Sequence, residues 1–151
     1  MSPSVSAPVF IRKPPPLLLI RLTAIAATAP LLVRAGLPRL QRWLEPRRSP
    51  SGVTAVDTDP VSEQFRRWVD SIIARGKPIV RPGCLTRGVT LYYALRRQGI
   101  DVSLCFGVGP VEGEMAGHCW LLLDGRPILE PGDPLSRFTE VVRVSRAGVT
   151  H

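Results

Sequence analysis

Two side chains in this 151-residue sequence could share nucleophilic chemistry, the thiol of Cys84 and the imidazole of His118. Only one other histidine exists, His151, the final residue, so His118 is the sole credible general base. A cysteine nucleophile needs an imidazole to hold or accept its proton, and the imidazole needs a third group to fix its tautomer. Asp124 and Glu130 are the natural candidates for that third place, with Asp133 the next acid along.

The elements that would carry these groups can be read from breakers and periodicity. Arg81-Pro82-Gly83 interrupts the chain, and Leu85, Val89, Tyr92 and Leu95 then recur at helical spacing up to Gly99. Cys84 therefore opens a helix, where the unpaired N–H groups and the dipole favour the thiolate. The competing reading is a small apolar residue that happens to start a core helix, the commoner state of a free cysteine. Val102, Leu104, Phe106 and Val108 alternate with small or polar residues, which predicts a strand. The reading continues with a loop over 109–117, a strand over 118–122 and a third over 126–130 around Asp124-Gly125, a strong hairpin signal. A fourth strand is expected over 138–144. This order is that of an α+β domain, a nucleophile helix on a small antiparallel sheet.

Hairpin geometry separates the candidate acids. Asp124, six residues beyond His118 at the turn, would lie roughly 20 Å away, because a strand rises about 3.4 Å per residue. It is expected to be a turn residue. A two-residue turn at Asp124-Gly125 would set Glu130 opposite Cys119 and on the wrong face. A three-residue loop, Leu123-Asp124-Gly125, would pair 118 with 130. The three-residue loop is therefore expected, since only that register makes Glu130 a strand partner of His118.

Upstream of this unit the composition changes. Nine of the sixteen prolines and eight of the twenty Lys and Arg residues fall in the first fifty positions, where Glu45 is the only acid, so seven of the eight net positive charges lie there. The expected organisation is a basic, Pro-rich, apolar helical arm over 1–50, a linker over 51–59 and a catalytic domain over 60–146. Val61 to Ala74 reads as a helix capped by Ser62 and stopped by Gly76 and Pro78. In the arm, Leu17, Ile20, Ala24 and Ala27, then Leu31, Leu37, Leu40 and Leu44, predict short amphipathic helices broken at Pro30 and Pro38. The charge-free stretch 22–33 falls short of the ~20 residues that span a bilayer. Proline after Ala29 suits a signal cleavage site poorly. The arm is expected to cover the core or dock a protein partner in preference to a membrane, and the chain to be cytoplasmic. Phe10 and Trp43 are its only rings, which argues against nucleic acid.

No cofactor or metal is expected. Cys105 and Cys119 read as core residues, and with His118 they are too few and too poorly spaced for a closed zinc site.

The segment from Gly83 to Glu130 resembles a known family. Gly83-Cys84-Leu85-Thr86-Arg87 opening the helix, Arg96-Arg97-Gln98-Gly99-Ile100 closing it, Gly117-His118-Cys119-Trp120 and Asp124-Gly125-Arg126-Pro127 are similar to the transglutaminase-like leader peptidases of lasso-peptide biosynthesis. The resemblance implies a papain- or transglutaminase-like fold with Cys84 as nucleophile, His118 as general base and Glu130 as the acid. It also implies a precursor peptide as substrate, a small leader-binding protein and an asparagine-synthetase-like cyclase as partners. Three positions depart from the family pattern: Glu130 where Asp is usual, Cys119 where Ala is usual, and Gly88 where Ser is common. Two other functions fit the same residues, transglutaminase- or amidase-type acyl transfer and a non-catalytic basic binding module.

Overall fold

The computed structural model describes residues 13–46 and 58–151. Four helices, α1 (Pro16–Arg34), α2 (Leu37–Leu44), α3 (Thr58–Arg75) and α4 (Cys84–Arg97), precede five strands. The strands are β1 (Val102–Val111), β2 (Glu114–Leu123), β3 (Arg126–Ile128), β4 (Thr139–Ser145) and β5 (Gly148–Thr150). They form one antiparallel sheet in the order β3-β2-β1-β4-β5. The expected α+β class is what the chain adopts.

Helix α4 is the centre of the helical layer. Val89, Leu91, Tyr92, Tyr93, Ala94 and Leu95 are all buried, and the main core joins them to Val102, Leu104, Cys119, Leu121 and Val144 of the sheet. Trp120, Leu122 and Cys105 alternate with these residues and form a smaller cluster with Phe138 on the opposite face.

Residues 16–44, expected as an arm preceding the domain, enter the same core. Leu22, Ala26 and Ala29 of α1 and Leu40 and Leu44 of α2 are fully buried in it. Helix α1 continues past Pro30, where a break is expected from sequence. Pro30 removes only one intrahelical N–H bond, that to Ala26, and the packing of Ala26 and Ala29 holds the turn together. Pro38 lies in the first turn of α2, where proline is tolerated. With Pro30 absorbed, α1 is long and apolar enough to cross a membrane by length and composition alone, which corrects the shorter apolar stretch expected from sequence. Only part of it is buried, and Leu17, Ile20 and Leu31 face outward.

The closing bond of this layer is electrostatic. Arg96 is 3% exposed, and its guanidinium donates from Nη2 to Glu45 Oε2 at 2.8 Å. It also pairs through Nη1 with Asp101, and the Tyr92 hydroxyl donates to Glu45. Gln41 of α2 reaches the Ser145 carbonyl at the end of β4, at 3.0 Å.

Three further expectations change. Most of the loop expected over 109–117 is strand, because β1 and β2 close in a tight turn at Glu112-Gly113, both at positive φ. Helix α3 starts at Thr58, so Ser62 is a buried interior residue with no hydrogen-bond partner and not a cap. Of the expected linker, residues 51–57 lie outside the described residues, and 58–59 belong to α3.

Candidate active site

Cys84 is the first residue of α4, as its sequence position after Pro82-Gly83 implies. Gly83 precedes it at φ 150° and ψ 165°, a region open essentially to glycine alone, which turns the chain abruptly into the helix. No side chain caps this N-terminus. The thiol is partly exposed, and it lines a small recess with Arg87, Gly88, Cys119, Leu129 and Glu130.

His118 lies on β2, opposite Gly107 of β1. Its ring packs against two aromatic side chains, with centroids 4.9 Å from Phe138 and 6.0 Å from Trp120, which are themselves 6.5 Å apart. Its Nε2 lies 3.0 Å from Glu130 Oε2. A carboxylate can only accept, so in the arrangement where Glu130 is the acceptor the ring proton is on Nε2 and Nδ1 is the other nitrogen that can take or give a proton.

The hairpin that brings Glu130 there is not the one expected. Leu123 pairs with Arg126, Leu122 with Pro127 and Leu121 with Ile128, so the turn is the two-residue Asp124-Gly125, with φ values of 49° and 76°. Those angles are the type I′ combination that matches the twist of paired strands. In that register Glu130 would oppose Cys119 on the core face, yet its carboxylate meets His118. The reason is Leu129, which stands at φ 60° immediately after β3 ends at Ile128. One left-handed residue breaks the strand alternation and turns the following side chain toward the imidazole.

Arg87 holds that turn. Its Nη2 donates to the Leu129 carbonyl at 3.1 Å, its Nε donates to Asp70 Oδ1 of α3 at 3.0 Å, and its Nη1 lies 4.0 Å from Glu130 Oε1. Asp70 in turn accepts from Arg66 Nη1 at 2.8 Å, and Arg66 also pairs with Glu63. Sequence reasoning missed Arg87, Asp70 and Phe138. The signal for Arg87 was its place one helical turn after Cys84; nothing in the sequence marks the other two.

The structure thus brings His118 and Glu130 together and sets Cys84 and Glu130 around one recess. No hydrogen bond joins Cys84 to His118. Such bonds are often long in unliganded sites and tighten around substrate. Asp124 is a turn residue, as expected, and Asp133 caps a short 3-10 turn by accepting from the Leu135 N–H at 3.0 Å. The other thiols are poor nucleophiles. Burial raises Cys105 to about 12, with Glu140 adding to the shift, and burial pushes Cys119 well above the ordinary thiol range. A larger cavity of about 500 Å³, lined by Lys13, Leu19, Trp68, Ile72 and Arg75 among others, shares no residue with this site. Among the described residues no cluster of His, Cys, Asp and Glu could hold a metal ion.

A helix-tip cysteine followed by an antiparallel sheet that carries a histidine and its acid is the arrangement of cysteine-type acyl-transfer folds. The family model for the transglutaminase-like superfamily matches residues 24–143, from within α1 to β4, and the chain belongs to that superfamily. The superfamily includes cysteine peptidases and acyltransferases. No curated protein and no solved structure matches the chain.

Proposed function

We propose that this protein is a cysteine peptidase that removes the leader from a ribosomally made lasso-peptide precursor, with Cys84 as nucleophile, His118 as general base and Glu130 as the orienting acid. The observation that carries this reading is the 3.0 Å contact of His118 Nε2 with Glu130 beside a recess that Cys84 also lines. The resemblance of residues 83–130 to leader peptidases supplies the substrate class.

In this mechanism His118 Nδ1 takes the thiol proton as Cys84 Sγ adds to the scissile carbonyl. The uncapped backbone N–H of Cys84 donates to the developing oxyanion. The tetrahedral adduct collapses as His118 returns its proton to the leaving amine, which departs as the N-terminus of the core peptide and leaves the leader as a thioester on Cys84. Water, deprotonated by the same imidazole, then hydrolyses the thioester and regenerates the thiol. Glu130 remains ionised throughout and stabilises the imidazolium. A leader-binding protein would present the precursor, and an asparagine-synthetase-like cyclase would use the freed N-terminus. No cofactor takes part, and the cytoplasm is the compartment this pathway implies.

Mass spectrometry of precursor incubated with the protein and its leader-binding partner tests the reading. A single cut at the leader boundary, lost in Cys84→Ala, is the expected result. A cross-linked or deamidated product would replace hydrolysis by acyl transfer to an amine or by side-chain amidase activity.

A further inference from the structure

We infer that Arg87 is a positioning residue that ties the acid of the site to the helix bearing the nucleophile, through the left-handed turn at Leu129. This inference rests on the proposed Cys84, His118 and Glu130 site.

A bulky side chain at positive φ is a backbone outlier, which persists only where its surroundings over-determine it. Leu129 is such a residue, and its carbonyl is held by Arg87 Nη2 at 3.1 Å. Without that turn, strand alternation in the observed register would send Glu130 to the face of Cys119 and away from His118. Arg87 is itself fixed from behind, because its Nε donates to Asp70 at 3.0 Å and Asp70 is shared with Arg66. One planar guanidinium therefore spans α3, α4 and the end of β3, which an ammonium group cannot do from a single point.

The same group acts on the carboxylate. Arg87 Nη1 stands 4.0 Å from Glu130 Oε1, while His118 uses Oε2. The cation engages one oxygen and leaves the other to the imidazole. Because Arg87 follows Cys84 by one helical turn on α4, the contact also fixes where the acid lies relative to the nucleophile.

The tautomer of His118 reads this directly, and it needs no substrate. The protein has only two histidines, so a sample labelled with 15N in its imidazoles gives two assignable ring systems. In the wild-type protein His118 should be the Nε2–H tautomer with a slowly exchanging ring proton. In Arg87→Met that signature should collapse toward a mixture of tautomers with a fast-exchanging proton. Arg87→Lys should recover little of it. With precursor, kcat should fall on the order of 10–100-fold with KM little changed, the loss typical of groups that orient a site from behind. A folded Arg87→Met protein with the wild-type His118 signature would overturn the inference. Should Arg87→Met fail to fold, Arg87→Lys and Asp70→Asn carry the test, and a wild-type His118 signature in both would overturn it equally. Wild-type protein that leaves precursor uncut, while the His118 signature still depends on Arg87, would instead sink the peptidase reading and leave the positioning role intact.

Discussion

The sulfur of Cys119 lies 2.6 Å from where a β-carbon on Gly88 would stand. The two positions form one packing unit: the volume that Gly88 leaves open on α4 is filled by Cys119 from β2. Gly88→Ala alone should destabilise the fold by about 1–3 kcal/mol through overpacking. Cys119→Ala alone should leave a small cavity, and the double variant should recover most of the loss. Thermal or urea denaturation of the four proteins would measure the coupling, and strict additivity would show that the two sites are independent.

Alkylation should distinguish the three thiols. Cys105 and Cys119 are held neutral by burial, and at pH 8 they should resist iodoacetamide in the native protein. Intact-mass analysis should show one adduct, mapped to Cys84, and three after denaturation. Adducts on Cys105 or Cys119 in the native state would show that the sheet opens far more readily than its burial implies.

On the proposed mechanism, Glu130→Gln should lower kcat for precursor cleavage on the order of 10²–10⁴-fold with little change in KM, because the amide keeps the shape and removes the charge that would stabilise imidazolium. Glu130→Asp should retain partial activity at most, since the turn at Leu129 is set for the longer side chain. Asp133→Asn should cleave normally, as Asp133 is occupied in capping the turn at Leu135. Steady-state kinetics on the three variants decide the identity of the acid.

Removing Glu45 should be among the most damaging surface-to-core changes available. Glu45→Ala leaves the Arg96 guanidinium buried without its main partner, at a cost of about 3–5 kcal/mol. Deletion of residues 1–50 should expose the α4 face that Leu22, Leu40 and Leu44 cover and give an aggregating protein. A soluble, cooperatively folding truncation would contradict this.

Alkaline pH gives a separate signature. Burial, reinforced by the neighbouring Glu45 carboxylate, raises the Tyr92 hydroxyl in the folded state. An acid whose folded value is raised keeps its proton in the native state while the unfolded chain loses it. Its stabilisation is therefore complete below about pH 10 and declines as pH rises beyond that. Tyr92→Phe should flatten this part of the alkaline limb, read as the difference between the two proteins in urea midpoints from pH 9 to 12.

The site was legible in the sequence to the extent that local signals set it. Pro82-Gly83 before an apolar helical period places Cys84 at a helix start, and a short-range breaker decides that alone. Glu130 does meet His118, but not through the register from which the sequence predicts it. Asp124-Gly125 is the preferred two-residue turn, and the parity it imposes is undone by Leu129, whose positive φ no propensity foretells. That angle is stabilised by Arg87, forty-two residues earlier in the chain, so the information is tertiary. The same holds for α1. Pro30 signals a break locally, but the buried faces of Ala26 and Ala29 against the core override it.

The burial of α1 against α4 also has a meaning in time. Synthesis proceeds from the N-terminus, so the apolar helix ending at Arg34 leaves the ribosome well before Cys84 begins the helix that covers it. At roughly 5–20 residues per second, the forty-nine residues between them take about 2–10 s. Throughout that interval the nascent chain presents Leu22, Ala26 and Ala29 together with the outward Leu17, Ile20 and Leu31, an uncovered apolar cylinder with no carboxylate along its length. Until α4 has been made, the buried face of α1 therefore lacks the partner that covers it in the folded protein.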